Sequence, residues 1–315
     1  MNDKNGIILS VYVPTYGHEK YIERALDSIL MQKTSYTYEV LVGEDASPDR
    51  TREILKQYEK KYPDRFKMFY RSQNMYGKPY NNARDLQERC IGKYIICLEG
   101  DDYWISDMKI EKQISFLEKH PEYIAVAHNC VVVDENNNIT SENYSECKDE
   151  IYTLKHYVSE ILPGQYTTLM VRNYIRENLF DTSILNMGLI PGDRLLYFAL
   201  AVHGTIYCMQ ETMSAYRHVL KSGSSFSANY VYDFCKQENW NASLMDYARK
   251  FDMNIPKDYA EMLYLRNLCQ GIKTRQLLID EFLKYFNKLD YKGKAVLLYV
   301  RQLINHKLLN KKLWL

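Results

Sequence analysis

Five carboxylates carry the candidate chemistry. Glu99, Asp101 and Asp102 stand around Gly100 in KYIICLEGDDYW (93–104). Asp45 stands in Gly43-Glu44-Asp45-Ala46-Ser47-Pro48-Asp49, and Asp193 in Ile190-Pro191-Gly192-Asp193. The spacing Glu99-x-Asp101 turns both side chains to one side of an extended chain. Hard oxygens so placed suit Mg2+ or Mn2+, which keep several waters and take phosphate oxygens from a substrate. An acid that accepts from a base N–H, one that holds ribose and one that holds a metal on a diphosphate would together bind a nucleotide diphosphate. No G-x-G-x-x-G and no G-x-x-x-x-G-K-[ST] is present, so a metal rather than a glycine cradle must hold the phosphates. Such a metal also stabilises a leaving group. A further carboxylate serves as general base for an attacking hydroxyl. The competing readings are a solvated acidic turn for Glu99–Asp102, turn chemistry with Ser47-Pro48 for Asp45, and a helix N-cap for Asp193.

The elements that must position these acids follow from the apolar pattern. Tyr94 to Leu98 is a short apolar run that suits a buried strand. Buried charge needs partners, so its acids are expected at the strand's C-terminal end, where an open parallel sheet places ligands. Ile7–Val13, Tyr38–Val42 and Phe66–Tyr70 read as further strands. Helical spacing covers Glu19–Met31, a stretch from Asp49 as N-cap to Lys61, and Asn81–Cys90. This alternation predicts right-handed βαβ units and a parallel sheet. A helix over 107–119, a strand Tyr123–Val133, a polar mobile loop over 134–150 and a strand-like TTLMV within 163–172 come next. A helix Arg194–Val202, two short strands (Thr205–Cys208 and Met213–Tyr216) and a flexible Lys221–Ser225 loop close this part. From about Ser227 only helical periodicity remains, which predicts a boundary near residue 226 between domains 1–226 and 227–315.

Composition bounds the function. The 315 residues suffice for one large α/β domain plus an appendage. A formal net charge of +1 argues against nucleic acid as partner. Seven cysteines without a CxxC pair argue against a disulfide framework or a zinc site, and for a reducing compartment. The polar MNDKNG start has no signal-peptide core, and no window reaches ~18 apolar residues, so a cytoplasmic protein without a membrane span is expected.

Six segments carry a specific resemblance: VYVPTYG (11–17), EVLVGEDASPDRT (39–51), Asn74 with GKYIICLEGDDYW (92–104), KIEKQISFLEKHPE (109–122), PGDRLLYFALAVHG (191–204) and MSAYRH (213–218). In order and spacing the chain resembles family 2 glycosyltransferases of the GT-A fold over roughly residues 6–226. The resemblance implies a Rossmann-like, mostly parallel sheet flanked by helices, here with a C-terminal all-helical extension. It implies transfer of a sugar from a nucleotide-diphosphate sugar, expected to be a UDP-sugar, to an acceptor hydroxyl with inversion. Pro14, Thr15 and Tyr16 would line the nucleotide, and Asp45 would accept from the base. Glu99 would face ribose as first acid of the DxD motif, where the family more often has Asp. Asp101 would hold Mn2+ or Mg2+, with Gly100 and Asp102 beside it. Asp193 matches the family's proposed base. His218 matches a position that completes the metal site or touches diphosphate. Arg217 has two readings, a diphosphate contact or a partner for a carboxylate of the fold.

The tail YKGKAVLLYVRQLINHKLLNKKLWL (291–315) has an apolar face, a basic face and a terminal Trp314. It reads either as an interfacial helix on anionic lipid or as a helix docked on the protein or on a second copy. The expected partners are a nucleotide-sugar donor and a saccharide or lipid-linked saccharide acceptor, in bacterial surface polysaccharide synthesis. The rivals are a non-catalytic nucleotide-sugar-binding or assembly module and a nucleotidyltransferase on a similar sheet.

Overall fold

A computed structural model describes residues 6–78, 80–144, 147–187, 192–219 and 231–308. Ile190, Pro191, the Lys221–Ser225 loop, the boundary near 226 and the tail residues Leu309, Lys311, Lys312 and Trp314 lie outside the described residues. The chain divides into two compact units, 1–229 and 230–315.

The first unit begins with strands β1 (Leu9–Thr15), β2 (Tyr38–Glu44), β3 (Lys67–Tyr70) and β4 (Tyr94–Cys97), linked by α1 (Ile22–Leu30), α2 (Thr51–Lys61) and α3 (Asn82–Arg89). The strands pair in parallel, β1 with both β2 and β4, and β2 with β3. The near-continuous apolar runs of β1, β2 and β4 are buried on both faces, as a strand between helical layers requires, whereas β3 at the edge is partly exposed. On α1, Ile22, Ala25, Leu26 and Ile29 form one buried stripe at helical spacing. After the short β5 (Tyr103–Trp104), α4 (Lys109–Lys119) buries Ile110, Ile114 and Leu117 in the same core.

The remaining strands are β6 (Tyr123–Val133), β7 (Ile151–Tyr152), β8 (Met170–Arg172) and β9 (Thr205–Arg217), with α5 (Leu154–Val158) and α6 (Gly192–His203) between them. Among the described residues the nine strands form one sheet, β3-β2-β1-β4-β8-β6-β9-β5, with β7 on β9. It is mixed rather than purely parallel: β8 runs antiparallel to both β4 and β6, and β5 and β7 are antiparallel to β9.

Three local expectations change. The two short strands over 205–216 are one strand. The exposed Gln210, Glu211 and Thr212 sit where the register with β6 slips around Asn129, so a bulge absorbs the polar residues without ending the strand. Most of TTLMV is not strand, because Gln165 accepts from the Thr167 N–H and winds Tyr166–Thr168 into a 3-10 turn. Asp49 sits one residue before the N-cap position. Its Oδ1 accepts from the Thr51 N–H and hydroxyl, and its Oδ2 accepts from the Glu19 N–H at 3.0 Å. One side chain thus starts α2 and ties down the loop after β1.

The second unit is helical: α7 (Phe234–Lys250), α8 (Lys257–Lys273), α9 (Ile279–Phe286) and α10 (Lys292–Leu308). The other three pack on α8, around a cluster of Phe234, Leu268 and Leu277. No helix among the described residues is long and apolar enough to cross a membrane.

A buried network fixes the β2 end that carries Asp45. Arg71 donates its N–H to Glu44 O and its Nε–H to Asn82, whose amide donates to Gly43 O. A Cβ at Gly43 would overlap Asn82 Oδ1 at 2.3 Å, so this close approach requires glycine. Arg71 also pairs with Asp85 at 2.5 Å, and Arg89 pairs with it at 2.7 Å. Burial raises the Asp85 pKa, but the Arg89 and Arg71 contacts outweigh it and hold it at about 2. A lowered carboxylate pKa contributes stability that is full above the unfolded value and is lost as pH falls towards the folded one. Asp85→Asn is therefore expected to cost about 2 kcal/mol in urea unfolding at pH 7. The gap should narrow at pH 3, and a gap independent of pH would contradict this account.

Candidate active site

The C-terminal ends of β1, β2 and β4 meet at one edge of the sheet. Gly100 N–H donates to Pro14 O at 3.2 Å and Asp45 N–H to Thr15 O at 3.0 Å, so the loops stay laced after the strands end. A Cβ on Gly100 would meet Thr15 Oγ1 at 2.6 Å and His18 Nδ1 at 2.7 Å, which is why the EGDD turn carries glycine. His18 accepts or donates at Thr15 Oγ1 across 3.1 Å, and its Nε2 lies 3.8 Å from Asp101 Oδ2. Sequence reasoning did not single out His18. The signal was its place directly after the PTYG turn.

Thr15 is buried at this edge, while Pro14 and Tyr16 are partly exposed beside it. Asp45 follows β2. Its Oδ1 accepts from Met75 N–H at 2.9 Å, and its carbonyl accepts from Asn74. Burial raises its pKa. Glu44 points into the protein, where it accepts from Ser47 N–H at 2.5 Å and pairs with Arg52. Glu44 therefore closes the loop, and Asp45 is the acid at the edge.

The three acids of the EGDD turn have different surroundings. Asp102 is 1% exposed. Its Oδ1 accepts from Arg217 N–H at 2.7 Å and its Oδ2 from Gln165 at 3.1 Å. Both oxygens face the fold. Asp101 keeps 18% of its side chain exposed and, among the described residues, meets His18 at ion-pair range. Glu99 lies between them, with Gln165 at 3.5 Å. Burial, Asp101 and Asp193 push its carboxyl up to about 8, against the Gln165 hydrogen bond. The turn thus holds more negative charge than the protein compensates. A hard divalent cation with oxygen ligands fits that surplus.

The Arg217 side chain makes its hydrogen bonds within the fold. Nε donates to Asp101 O at 2.8 Å, one terminal nitrogen to Asp134 O at 2.5 Å, and the other to Asn137 Oδ1 at 2.6 Å. The guanidinium lies 4.1 Å over the Tyr21 ring. It braces the end of β9 against the EGDD turn and the start of the 134–150 segment. His218, next in sequence, places Nδ1 2.5 Å from Glu142. The polar segment expected to be mobile is therefore pinned at Asp134, Asn137 and Glu142.

Asp193 lies in the first turn of α6. Burial raises its pKa, and neighbouring Arg194 moderates the rise. Its charge is felt by Glu99, Tyr144, Tyr166 and Tyr197, so α6 brings Asp193 near the end of β4. Tyr197, one helical turn after Asp193, is fully buried, and its hydroxyl has no hydrogen-bond partner among the described residues. Its ring lies 6.4 Å from Tyr166, and Tyr144 stands edge-on to Tyr216 at 5.5 Å. Four tyrosines, none picked out from the sequence, surround the acids. Trp104 is packing: its indole donates to Thr167 O and Lys109 lies 4.5 Å over its ring.

The sequence profile described as glycosyl transferase family 2 matches residues 10–179, more than half of the chain. The chain belongs to that family. The "Uncharacterized protein Rv1520" of Mycobacterium tuberculosis is 30% identical over 217 residues, covering 66% of this chain and 58% of the relative. The chain thus spans less than two thirds of that relative's length. Among solved structures, S. aureus TarS 1-349 in complex with UDP-GlcNAc superposes with a TM-score of 0.61 at 16% identity, over 97% of this chain and 93% of TarS 1-349. The mannosyltransferase PcManGT from Pyrobaculum calidifontis, in complex with GDP-Man and Mn2+, gives 0.52 at 14% identity, over 95% and 88%. These likenesses show the GT-A fold.

Arg217→Ala leaves Asp101 O, Asp134 O and Asn137 Oδ1 without their donors around buried Asp102. It is expected to cost about 1–3 kcal/mol in chemical unfolding, the range for leaving buried neutral acceptors unsatisfied, since the backbone N–H to Asp102 survives in alanine. A loss within 0.5 kcal/mol, the usual size for surface sites, would return Arg217 to a ligand-facing role.

Proposed function

We propose that this protein is an inverting, metal-dependent glycosyltransferase that moves a sugar from a nucleotide-diphosphate sugar to an acceptor hydroxyl. The observation that carries the reading is the approach of Asp101 and Asp193 to Glu99, whose carboxyl burial and both charges push up, with Asp193 raised as well. A raised carboxylate pKa suits a base that must take a proton near neutral pH. Asp193 takes the acceptor proton as the hydroxyl oxygen attacks the anomeric carbon in line. The bond to the nucleotide diphosphate breaks, the leaving group keeps the electron pair, and the configuration inverts.

Asp101, with Glu99 beside it, would hold Mn2+ or Mg2+. When bound, the ion supplies positive charge to the departing diphosphate. His218 is the further ligand in this proposal, because a carboxylate on one imidazole nitrogen is the arrangement that orients a metal-ligating histidine. Pro14, Thr15, Tyr16, Gly100 and Asp45 line the nucleotide. The UDP-GlcNAc of TarS supports a UDP-sugar as donor, and the Mn2+ of PcManGT supports the metal. The acceptor is a saccharide or lipid-linked saccharide of a bacterial surface polymer.

A membrane surface is part of the same proposal. In the second unit Leu278 and Leu297 are 71% and 70% exposed, with Ile279, Leu283 and Val300 also exposed. The tail adds Lys292, Lys294 and Arg301. Apolar side chains beside cations suit peripheral attachment to anionic lipid, at about 1 kcal/mol per cation near the surface. The full chain is expected to co-sediment with anionic vesicles at low salt and less at high salt. A salt-dependent dimer without vesicle binding would assign the face to a second copy.

The decisive assay is nucleotide diphosphate release across nucleotide sugars with Mn2+ or Mg2+, for wild type, Asp193→Asn and Asp101→Ala. Asp193→Asn should keep donor binding and lose about 10²–10⁴ in rate, the range for general base catalysis. Asp101→Ala should lose metal-dependent binding and turnover together. Full turnover in EDTA would remove the metal, and a wild-type rate for Asp193→Asn would leave Asp193 a helix-end charge. Binding without turnover for every donor would favour a non-catalytic module.

A further inference from the structure

Away from these acids, the far end of the 134–150 segment gathers another donor set. Cys147 Sγ, an Asp149 carboxylate oxygen and a His156 ring nitrogen all lie within 4.8 Å of one another. His156 Nε2 is 2.8 Å from Asp149 Oδ2. Its Nδ1 faces the Thr153 N–H at 3.1 Å and the Thr153 hydroxyl at 3.2 Å. The imidazole stacks on Tyr152 and sits at the third position of α5, so its direction is set by the helix start and by packing. Cys147 is buried. Its Sγ lies 3.3 Å from the Asp149 carbonyl oxygen.

This is not a nucleophile with its base. In such a triad the imidazole bridges thiol and carboxylate through its two nitrogens. Here Nε2 meets the carboxylate and Nδ1 meets Thr153, so no nitrogen is left to bridge to Cys147. The three donors instead converge. A thiolate, an imidazole and a carboxylate form a mixed soft and hard set that suits Zn2+ and not Mg2+ or Mn2+. We propose that Cys147, Asp149 and His156 hold a zinc ion. Binding releases the thiol proton and moves the Nε2 proton to Nδ1, so His156 gives up the hydrogen bond that Nδ1 accepts from the Thr153 N–H and donates Nδ1–H to the Thr153 hydroxyl instead, an outer contact of the kind that orients such a ligand. The absence of a CxxC pair misleads here, because the donors come from a loop end and a helix start brought together by β7.

The consequence reaches the active site. Tyr144, three residues before Cys147, packs on Tyr216 and feels the charges of Asp193 and Glu99. Glu142 holds His218. Zinc at residues 147–156 anchors the segment just beyond both, and so holds both in place.

The test titrates the full chain, reduced and stripped of metal, with Zn2+ against a chromophoric chelator, and with Co2+ for thiolate-to-cobalt absorption. One equivalent of zinc is expected at a Kd of about 1 μM or tighter, as for folded zinc sites. Cys147→Ser should abolish the cobalt–thiolate absorption and weaken zinc at least about tenfold. Asp149→Asn should also weaken it, and because Asp149 is 74% exposed its folding is not at issue. Asp101→Ala should leave zinc affinity unchanged. No stoichiometric zinc, absorption that survives Cys147→Ser, or a chain isolated from a reducing cell with Cys147 and Cys208 joined as a disulfide would each overturn the proposal.

Discussion

Charge repulsion among carboxylates gathered at the strand ends is the constraint that the first unit is built to meet. Asp101 and Asp193 raise the cost of ionising Glu99, and Asp101 and Glu99 do the same to the buried Asp102. The fold spends its donors on one of them. Asp102 takes a backbone N–H from Arg217 and a side-chain N–H from Gln165, while Arg217's guanidinium grips the carbonyl of Asp101. With Asp102 committed inward, the turn is rigid and Asp101 is left facing outward. The unmet charge of Glu99 and Asp101 is then available for a ligand.

That division of labour explains much of the surrounding architecture. Gln165 can reach Asp102 only because its own carbonyl oxygen is occupied by Thr167, which forms the 3-10 turn before β8. Arg217 can reach the EGDD turn only because β9 runs unbroken through its bulge and pairs with β5, placing Ala215 beside Tyr103. The parallel half of the sheet presents Thr15, Asp45 and Glu99, and the mixed half supplies the brace and carries the chain towards α6. Asp193 enters from α6, with Tyr197 one turn further on and its hydroxyl without a hydrogen-bond partner among the described residues. A substrate hydroxyl is the kind of group such a site takes.

The parallel half was legible from the sequence because buried strands and one-faced helices leave plain patterns. Leu9–Thr15, Tyr38–Glu44 and Tyr94–Cys97 are apolar runs, and Ile22, Ala25, Leu26 and Ile29 repeat at helical spacing. The acids could be found because charge at the end of a buried strand is conspicuous. Less legible were features made by pairs distant in the chain. Gln165 lies 63 residues from Asp102, and Arg217 lies 115. Nothing local distinguishes Tyr197 from the other 28 tyrosines, since its role comes from burial beside Asp193. The β9 bulge was misread because Gln210, Glu211 and Thr212 look like a break when read by alternation alone. That Asp102 braces the fold while Asp101 keeps a partly exposed carboxylate shows only in their contacts.

The central claim is that the EGDD turn divides its work, Asp101 to a bound cation and Asp102 to the fold. A crystal structure of the chain soaked with Mn2+ and a nucleotide diphosphate, read by the anomalous signal of manganese, tests it most directly. The account expects one peak at about 2.2 Å from an Asp101 carboxylate oxygen, with the other ligands drawn from diphosphate oxygens, water and the His218 imidazole. Asp102 should remain on Arg217 N and Gln165, and Asp193 should stay on the sugar side of the nucleotide. A peak on Asp102 with the Arg217 contacts broken, or nucleotide bound away from this edge of the sheet, would contradict it.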